Sequence, residues 1–279
     1  MKKLSTLLVA FLFTTGMAFA QDNDATTNQD GDNLEATIEQ VGGAHNVATQ
    51  DQFGLNNILG IYQSGNHNVA TQTQDSRETG SYDPDNEAYI DQSGDWNEAT
   101  QNQDTGSQRN FADIDQSGDW NEATQSQYGQ GFDAIVDQSG DHNYAIQTQD
   151  GNAFSAEILQ SGSHNWASQT QDGQRNIAEI EQSGDHNEAT QEQFGSQSHP
   201  LDGELNILQT GNFNVAFQYQ DNTETGSFAT TYQSGSNNFA EQNQLGPGDN
   251  YASIEQLSDW NTAVQNQTGS ENNAVIVQD

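Results

Sequence analysis

Residues 92–103 and 116–127 carry one twelve-residue phrase twice, differing only where Asn102 gives way to Ser126. Its general form is Q-x-G-x-x-N-x-A-x-Q-x-Q. The first Gln of that form stands at Gln40, Gln63, Gln92, Gln116, Gln138, Gln160, Gln182, Gln209, Gln233, Gln256 and Gln278, at intervals of 22 to 29 residues. A repeat of this length is one supersecondary unit that cannot bury a face alone and has to stack on its neighbours. Whatever one copy folds into, the others must fold into as well.

The columns of the repeat define the unit. Two residues before the first Gln stand Ile38, Ile61, Ile90, Ile114, Val136, Ile158, Ile180, Ile207, Thr231, Ile254 and Ile276; four before it stands Ala, with Leu59 and Leu205 as exceptions. After the turn every full copy has Ala, as at Ala99 and Ala145, then Gln two and four residues on, as at Gln101 and Gln103. Fixed and variable positions alternate, which is the period of a β-strand. Each copy therefore reads strand–turn–strand, A-x-I-x-Q then N-x-A-x-Q-x-Q. A Gly sits in the turn (Gly94, Gly118, Gly140, Gly162, Gly184), where positive φ costs it little. The predicted fold is all-β: a solenoid of two stacked parallel sheets, with about ten and a half rungs over residues 34–279. The connections between copies are polar and uneven, and the longest lie near residues 75–87 and 194–204.

Only 31% of the residues are hydrophobic, a composition that by itself suggests disorder. The order of residues argues otherwise. In a parallel stack Ile falls on Ile and amide on amide at roughly 4.8 Å. Buried amides, costly in an ordinary core, then satisfy one another as ladders. The expected ladder and core positions are Ile90, Ile114, Ile158 and Ile180 with Gln92, Asn97, Ala99, Gln101 and Gln103. In the following rungs they are Gln116, Asn121 and Gln127; Gln138, Asn143 and Gln149; Gln160, Asn165 and Gln171; and Gln182, Asn187 and Gln193.

Charge narrows the function. Five Lys and Arg against 41 Asp and Glu leave no basic face for nucleic acid, and the absence of Cys excludes disulfide or thiolate–metal scaffolds. Lys2 and Lys3, the apolar run from Leu7 to Phe13 and Ala18-Phe19-Ala20 have the pattern of an export signal over residues 1–20, with a mature chain from Gln21 and no membrane span in it. Residues 21–33 form a polar N-terminal segment. Asp91, Asp115 and Asp137 occupy one outward column in three successive rungs, where like charges resist stacking: charge gatekeepers against early assembly, or a solubilising face. His142, His164 and His186 at the turn tip are metal or pH-sensing candidates, weighed against simple ring stacking. Asp95, Asp119, Asp141 and Asp185 at the same turns are candidate Ca²⁺ ligands, although the repeat of a Ca²⁺ β-roll is absent. Asp, Glu and His recur because the repeat recurs; none stands out as a nucleophile with its own base, and no cofactor is implied. Neither end of the column carries an evident cap, and a bare edge is a template for another chain.

These columns resemble the curlin repeat, S-x5-Q-x-G-x2-N-x-A-x3-Q, of curli major subunits, the secreted functional amyloids of bacterial biofilms. Gln92, Gly94, Asn97, Ala99 and Gln103 match it, as do Gln138, Gly140, Asn143, Ala145 and Gln149. There are departures. The leading Ser is Asn or Phe here (Asn86, Asn110, Phe132, Phe154, Asn176), the first copy has an extra residue before Asn46, and Ser258 replaces a turn Gly. The resemblance implies a secreted, extracellular homopolymer, a pilus-like cell-surface fibre for adhesion and biofilm matrix. It also implies a nucleator subunit and an outer-membrane secretion channel as partners, with residues 21–33 as the corresponding targeting segment. The acidic C-terminus favours the major subunit. The alternatives are a monomeric β-solenoid binding a surface, as ice-binding proteins do through flat Thr arrays such as Thr71-x-Thr73, or one binding divalent cations.

Overall fold

The computed structural model describes residues 22–77, 86–104, 109–196, 203–222 and 226–279; the expected export signal and Gln21 lie outside the described residues. Among the described residues, twenty-two strands run from Asp24–Asp32 to Asn273–Gln278. They alternate strictly between two eleven-stranded parallel sheets. One, the aliphatic sheet, is built from the A-x-I-x-Q strands; the other, the amide sheet, from the A-x-Q-x-Q strands. The solenoid read from the repeat is the fold observed. No helix among the described residues is long and apolar enough to cross a membrane.

Register follows the sequence columns. Ile90 pairs Ile114 and Gln92 pairs Gln116 in the aliphatic sheet. In the amide sheet Ala99 pairs Ala123 and Gln101 pairs Gln125. A one-residue slip would turn every buried amide out to solvent, so the pattern fixes the register.

The core is narrow. The Ile column of the aliphatic sheet meets the Ala column of the amide sheet, forming one buried cluster from Ala48 to Ala216. Ala is short enough to let the sheets approach closely. The cluster ends where Thr231 replaces Ile, and there the hydroxyl joins the polar system, donating to Gln242 Oε1 and accepting from Gln218 Nε2 at 3.0 Å each. Asn110 and Phe132, in the column where the curlin motif has Ser, are buried. Phe132 stacks on Phe154 with centroids 5.2 Å apart.

The N-terminal boundary differs from the sequence reading. The stretch 21–33, set outside the repeats, contributes the strand Asp24–Asp32, so the solenoid begins at Asp24 rather than residue 34. Ala25, Gln29 and Gly31 align with Ala48, Gln52 and Gly54, while Thr27 stands beside Gln50 in a Gln column. The outermost strands are Asp24–Asp32 and Glu35–Val41 at one end, and Thr262–Ser270 and Asn273–Gln278 at the other.

Candidate assembly ladders and edges

Alternation sends the first Gln of each repeat inward, where it meets its copies above and below. Gln92 Nε2 donates to Gln116 Oε1 at 2.9 Å, Gln116 to Gln138 at 2.8 Å, Gln138 to Gln160 at 2.9 Å and Gln160 to Gln182 at 2.9 Å. The column is continuous from Gln40 to Gln278. Each amide has a second proton, and this one crosses to the other sheet: Gln92 Nε2 also donates to Val69 O at 3.0 Å, and Gln116 Nε2 to Glu98 O at 3.0 Å. One amide thus joins rung to rung and sheet to sheet, meeting the requirement that buried polar groups be paired.

Two further Gln columns repeat the scheme on the amide sheet. Gln101 Nε2 donates to Gln125 Oε1 at 2.9 Å. Gln103 donates to Gln127, Gln127 to Gln149, Gln149 to Gln171 and Gln171 to Gln193, at 2.8 to 3.1 Å. The Asn column locks the turns. Asn97 Nδ2 donates to Gly118 O at 2.8 Å, Asn121 to Gly140 at 2.7 Å, Asn143 to Gly162 at 3.0 Å, Asn165 to Gly184 and Asn187 to Gly211 at 2.8 Å each.

The turn glycines are required twice over. Gly94, Gly118, Gly140, Gly162 and Gly184 have φ of 105° to 111°, and a Cβ on Gly118 would lie 2.2 Å from Gly140 O of the next rung. Ser258 takes the place of Gly only at the last full turn. It is not among the positive-φ residues.

All three Gln columns point the same way: Nε2 donates to the rung nearer the C-terminus. At that end Gln265 accepts from Gln242 at 3.2 Å, but its own Nε2 is buried without a partner. Nothing in the repeat alone identifies this orphan; it follows from a ladder running out of rungs.

Asp91, Asp115 and Asp137 are in-register neighbours on the outer face. Partial burial against the sheet first, then Asp91, Asp137 and Asp113, push Asp115 up to about 6. Asp91, Asp113 and Asp137 are raised as well, chiefly by burial. Asp113, in the adjacent column, was not singled out on sequence. Strand alternation puts it beside Asp115, and the register brings Asp91 and Asp137 alongside.

His142, His164 and His186 form a column of tilted rings, with centroids 4.7 and 4.8 Å apart and planes 30° and 32° from parallel. They belong to a run of eight rings from His45 through Trp96 and Trp120 to Phe213. All sit at positive φ. Among the described residues no three His, Asp or Glu gather to hold a metal. The turn carboxylates are already engaged: Asp119 Oδ1 accepts from Asp95 N at 2.8 Å, Asp141 Oδ1 from Asp119 N at 3.0 Å and Asp185 Oδ1 from Ser163 N at 3.1 Å. The outward Thr column aligns Thr26, Thr49, Thr71, Thr100 and Thr124, then breaks at Ile146.

No curated protein matches the chain. Two stretches, residues 108–140 and 151–184, match the family model of the curlin associated repeat. The rungs above and below them stand in the same register, through the same Gln, Asn, Ala and Gly columns. The chain therefore contains curlin-associated repeats.

Proposed function

We propose that this chain is a secreted structural subunit of an extracellular curli-type amyloid fibre, joined end to end, serving adhesion and biofilm matrix. A nucleating subunit and an outer-membrane export channel enter as partners through the family resemblance, and residues 21–33 as a targeting segment. The Gln, Asn and Ala columns form the fibre core in this reading, and Asp91, Asp115 and Asp137 hold back assembly until export.

The supporting observation is the unpaired Gln265 Nε2 at an edge built to continue. One rung beyond Thr262–Ser270, the strand Asp24–Asp32 of a second copy aligns Ala25 on Ala263, Gln29 on Gln267 and Gly31 on Gly269, by the spacing of the existing rungs. Thr27 Oγ1 then falls where Gln265 needs an acceptor. In the aliphatic sheet Ile38 meets Ile276 and Gln40 meets Gln278. The two faces also differ in charge. Asp24, Asp30, Asp32, Glu35 and Glu39 lie at the N-terminal end, whereas strands Thr262–Ser270 and Asn273–Gln278 contain no charged residue. Head-to-tail contact avoids the like-charge opposition that head-to-head contact creates.

The test is assembly of purified mature protein, followed by amyloid-dye fluorescence and fibre diffraction, beside Ile276→Lys. The parent should give cross-β reflections. Ile276→Lys should remain a folded monomer, because a junction that closes over an unpaired ammonium is strongly disfavoured. A parent that stays monomeric, or a variant that elongates at the parental rate, defeats the proposal.

A further inference from the structure

The outer face of the aliphatic sheet is indented at Gly60. The outward residues of strand Asn57–Ser64 include Ile58, Gly60 and Tyr62. Gly60 is the bare position in a column whose neighbours are Thr37 on one side and Tyr89 on the other. A cleft of about 360 Å³ opens there, within the roughly 300–1,000 Å³ range of small-molecule sites.

The cleft has a definite chemistry. The Gly60 backbone is its floor, and Tyr89 leans over it so closely that a Cβ on residue 60 would lie 2.8 Å from the ring's Cδ1. Ile58 and Tyr62 flank the floor along the strand. Tyr62 and Tyr89 keep 37% and 36% exposure, so ring surface remains available to a ligand. Glu35, Glu39 and Asp91 line the rim, and no basic residue does. The Tyr89 hydroxyl is raised by burial and then by Glu87, Glu35 and Asp113, as expected in a negative potential.

We propose that this cleft binds a quaternary ammonium ion. Aromatic faces attract cations, most strongly those with little hydration to lose, and carboxylates at the rim add long-range attraction. A methylated ammonium carries its charge under an apolar skin, which suits Ile58, the rings and bare backbone better than a hard metal ion does. A hard ion requires several oxygen ligands at fixed short distances. Another cleft on this sheet, near Asp137, Leu159 and Glu181, is acidic but has no aromatic wall. The combination of rings, gap and carboxylates is what singles out the Gly60 site.

Saturation-transfer NMR on the freshly purified full chain tests this, with tetramethylammonium chloride as probe and ionic strength held constant by sodium chloride. The methyl signal should appear with the parent chain. It should fall about fivefold in Tyr62→Leu, the loss expected for one cation–π contact, and should fall as well in the Glu39→Gln, Asp91→Asn double variant, which removes the attraction of two carboxylates. Tyr144→Leu, on the amide sheet, should leave it unchanged. Far-UV circular dichroism checks that each variant keeps its strands, and Tyr62→Val replaces Tyr62→Leu if the latter fails to fold. Equal signals from the parent and the Tyr62 variant, or an equal loss in Tyr144→Leu, overturn the proposal, since the cation then sits only in the diffuse atmosphere of an acidic surface. Fibre formation does not enter the readout, so this result stands apart from the assembly reading.

Discussion

Asp115 and Asp137 sit opposite one another on adjacent strands of the aliphatic sheet, and Asp115 titrates at about 6 instead of its ordinary 3.8. A carboxyl raised in the folded state holds its proton more tightly there than in the unfolded chain. The unfolded chain therefore binds fewer protons between those two values, and stability falls as pH rises through that window. The destabilisation is complete above about 6 and absent below 3.8. Urea unfolding of the monomer should show stability increasing from pH 7 to pH 4. Asp115→Asn should be more stable than the parent at pH 7, with the gap closing towards pH 4. A constant gap across that range contradicts the assignment. Under the assembly reading, fibre growth should accelerate over the same interval.

Gln147 Nε2 donates to Ile135 O at 2.8 Å and to Gln169 Oε1 at 3.0 Å, and its Oε1 accepts from Gln125 at 2.9 Å. Gln147→Glu removes both donors and sets carboxylate oxygen against carbonyl oxygen in a buried site. The expected loss at pH 7 is about 3–5 kcal/mol. Acid should recover part of it, because a protonated carboxyl can donate once. Denaturant titrations at pH 7 and pH 4 measure both effects.

Gly118→Ala brings a methyl within 2.2 Å of Gly140 O at a φ of 105°. The two strains together should cost about 2–4 kcal/mol. The reverse change, Ser258→Gly, should move stability by less than about 0.5 kcal/mol, as expected away from strained or buried features. Thermal melts of the pair show whether the steric demand of the turn depends on a rung above it.

Trp96 and Trp120 stack at 4.9 Å with planes 4° apart, yet Trp96 has a φ of 63°. Trp96→Ala loses this stack and the one on His67, and should cost about 0.5–1.5 kcal/mol for each pair. Trp96→Gly loses the same contacts but releases the backbone, recovering up to about 1 kcal/mol. The glycine variant should therefore melt above the alanine variant. The opposite order argues that the tip conformation carries no strain.

Much of this architecture was legible because the code is positional. Ile90 over Ile114 and Gln92 over Gln116 can be read from spacing alone, since period 2 assigns the face and the repeat length assigns the neighbour. The first strand escaped because Asp24–Asp32 precedes any Q-x-G turn and puts Thr27 in a Gln column. Its trace was Ala25, Gln29 and Gly31, each 23 residues before its counterpart. The left-handed backbone of His142 and Trp96 was not legible, because positive φ was assigned to Gly alone. Asp113 and Asp115 stand two apart on one strand, so period 2 already places them on one face, although the outward carboxylates were read from a single column. The orphaned Gln265 amide depends on the direction of a ladder, which is written in neither composition nor periodicity.

Because Gln138 and Gln160 occupy equivalent positions 22 residues apart, removing residues 139–160 joins Gln138 to Ser161-Gly162, and the junction still reads Gln-Ser-Gly. The shortened chain keeps the Gln, Asn, Ala and Gly ladders, each one link shorter, and gives up only local pairs such as the Phe132–Phe154 stack. Length in this molecule is a count of interchangeable links. Slippage or unequal crossing-over between gene copies can therefore shorten or lengthen the molecule without inventing a new interface.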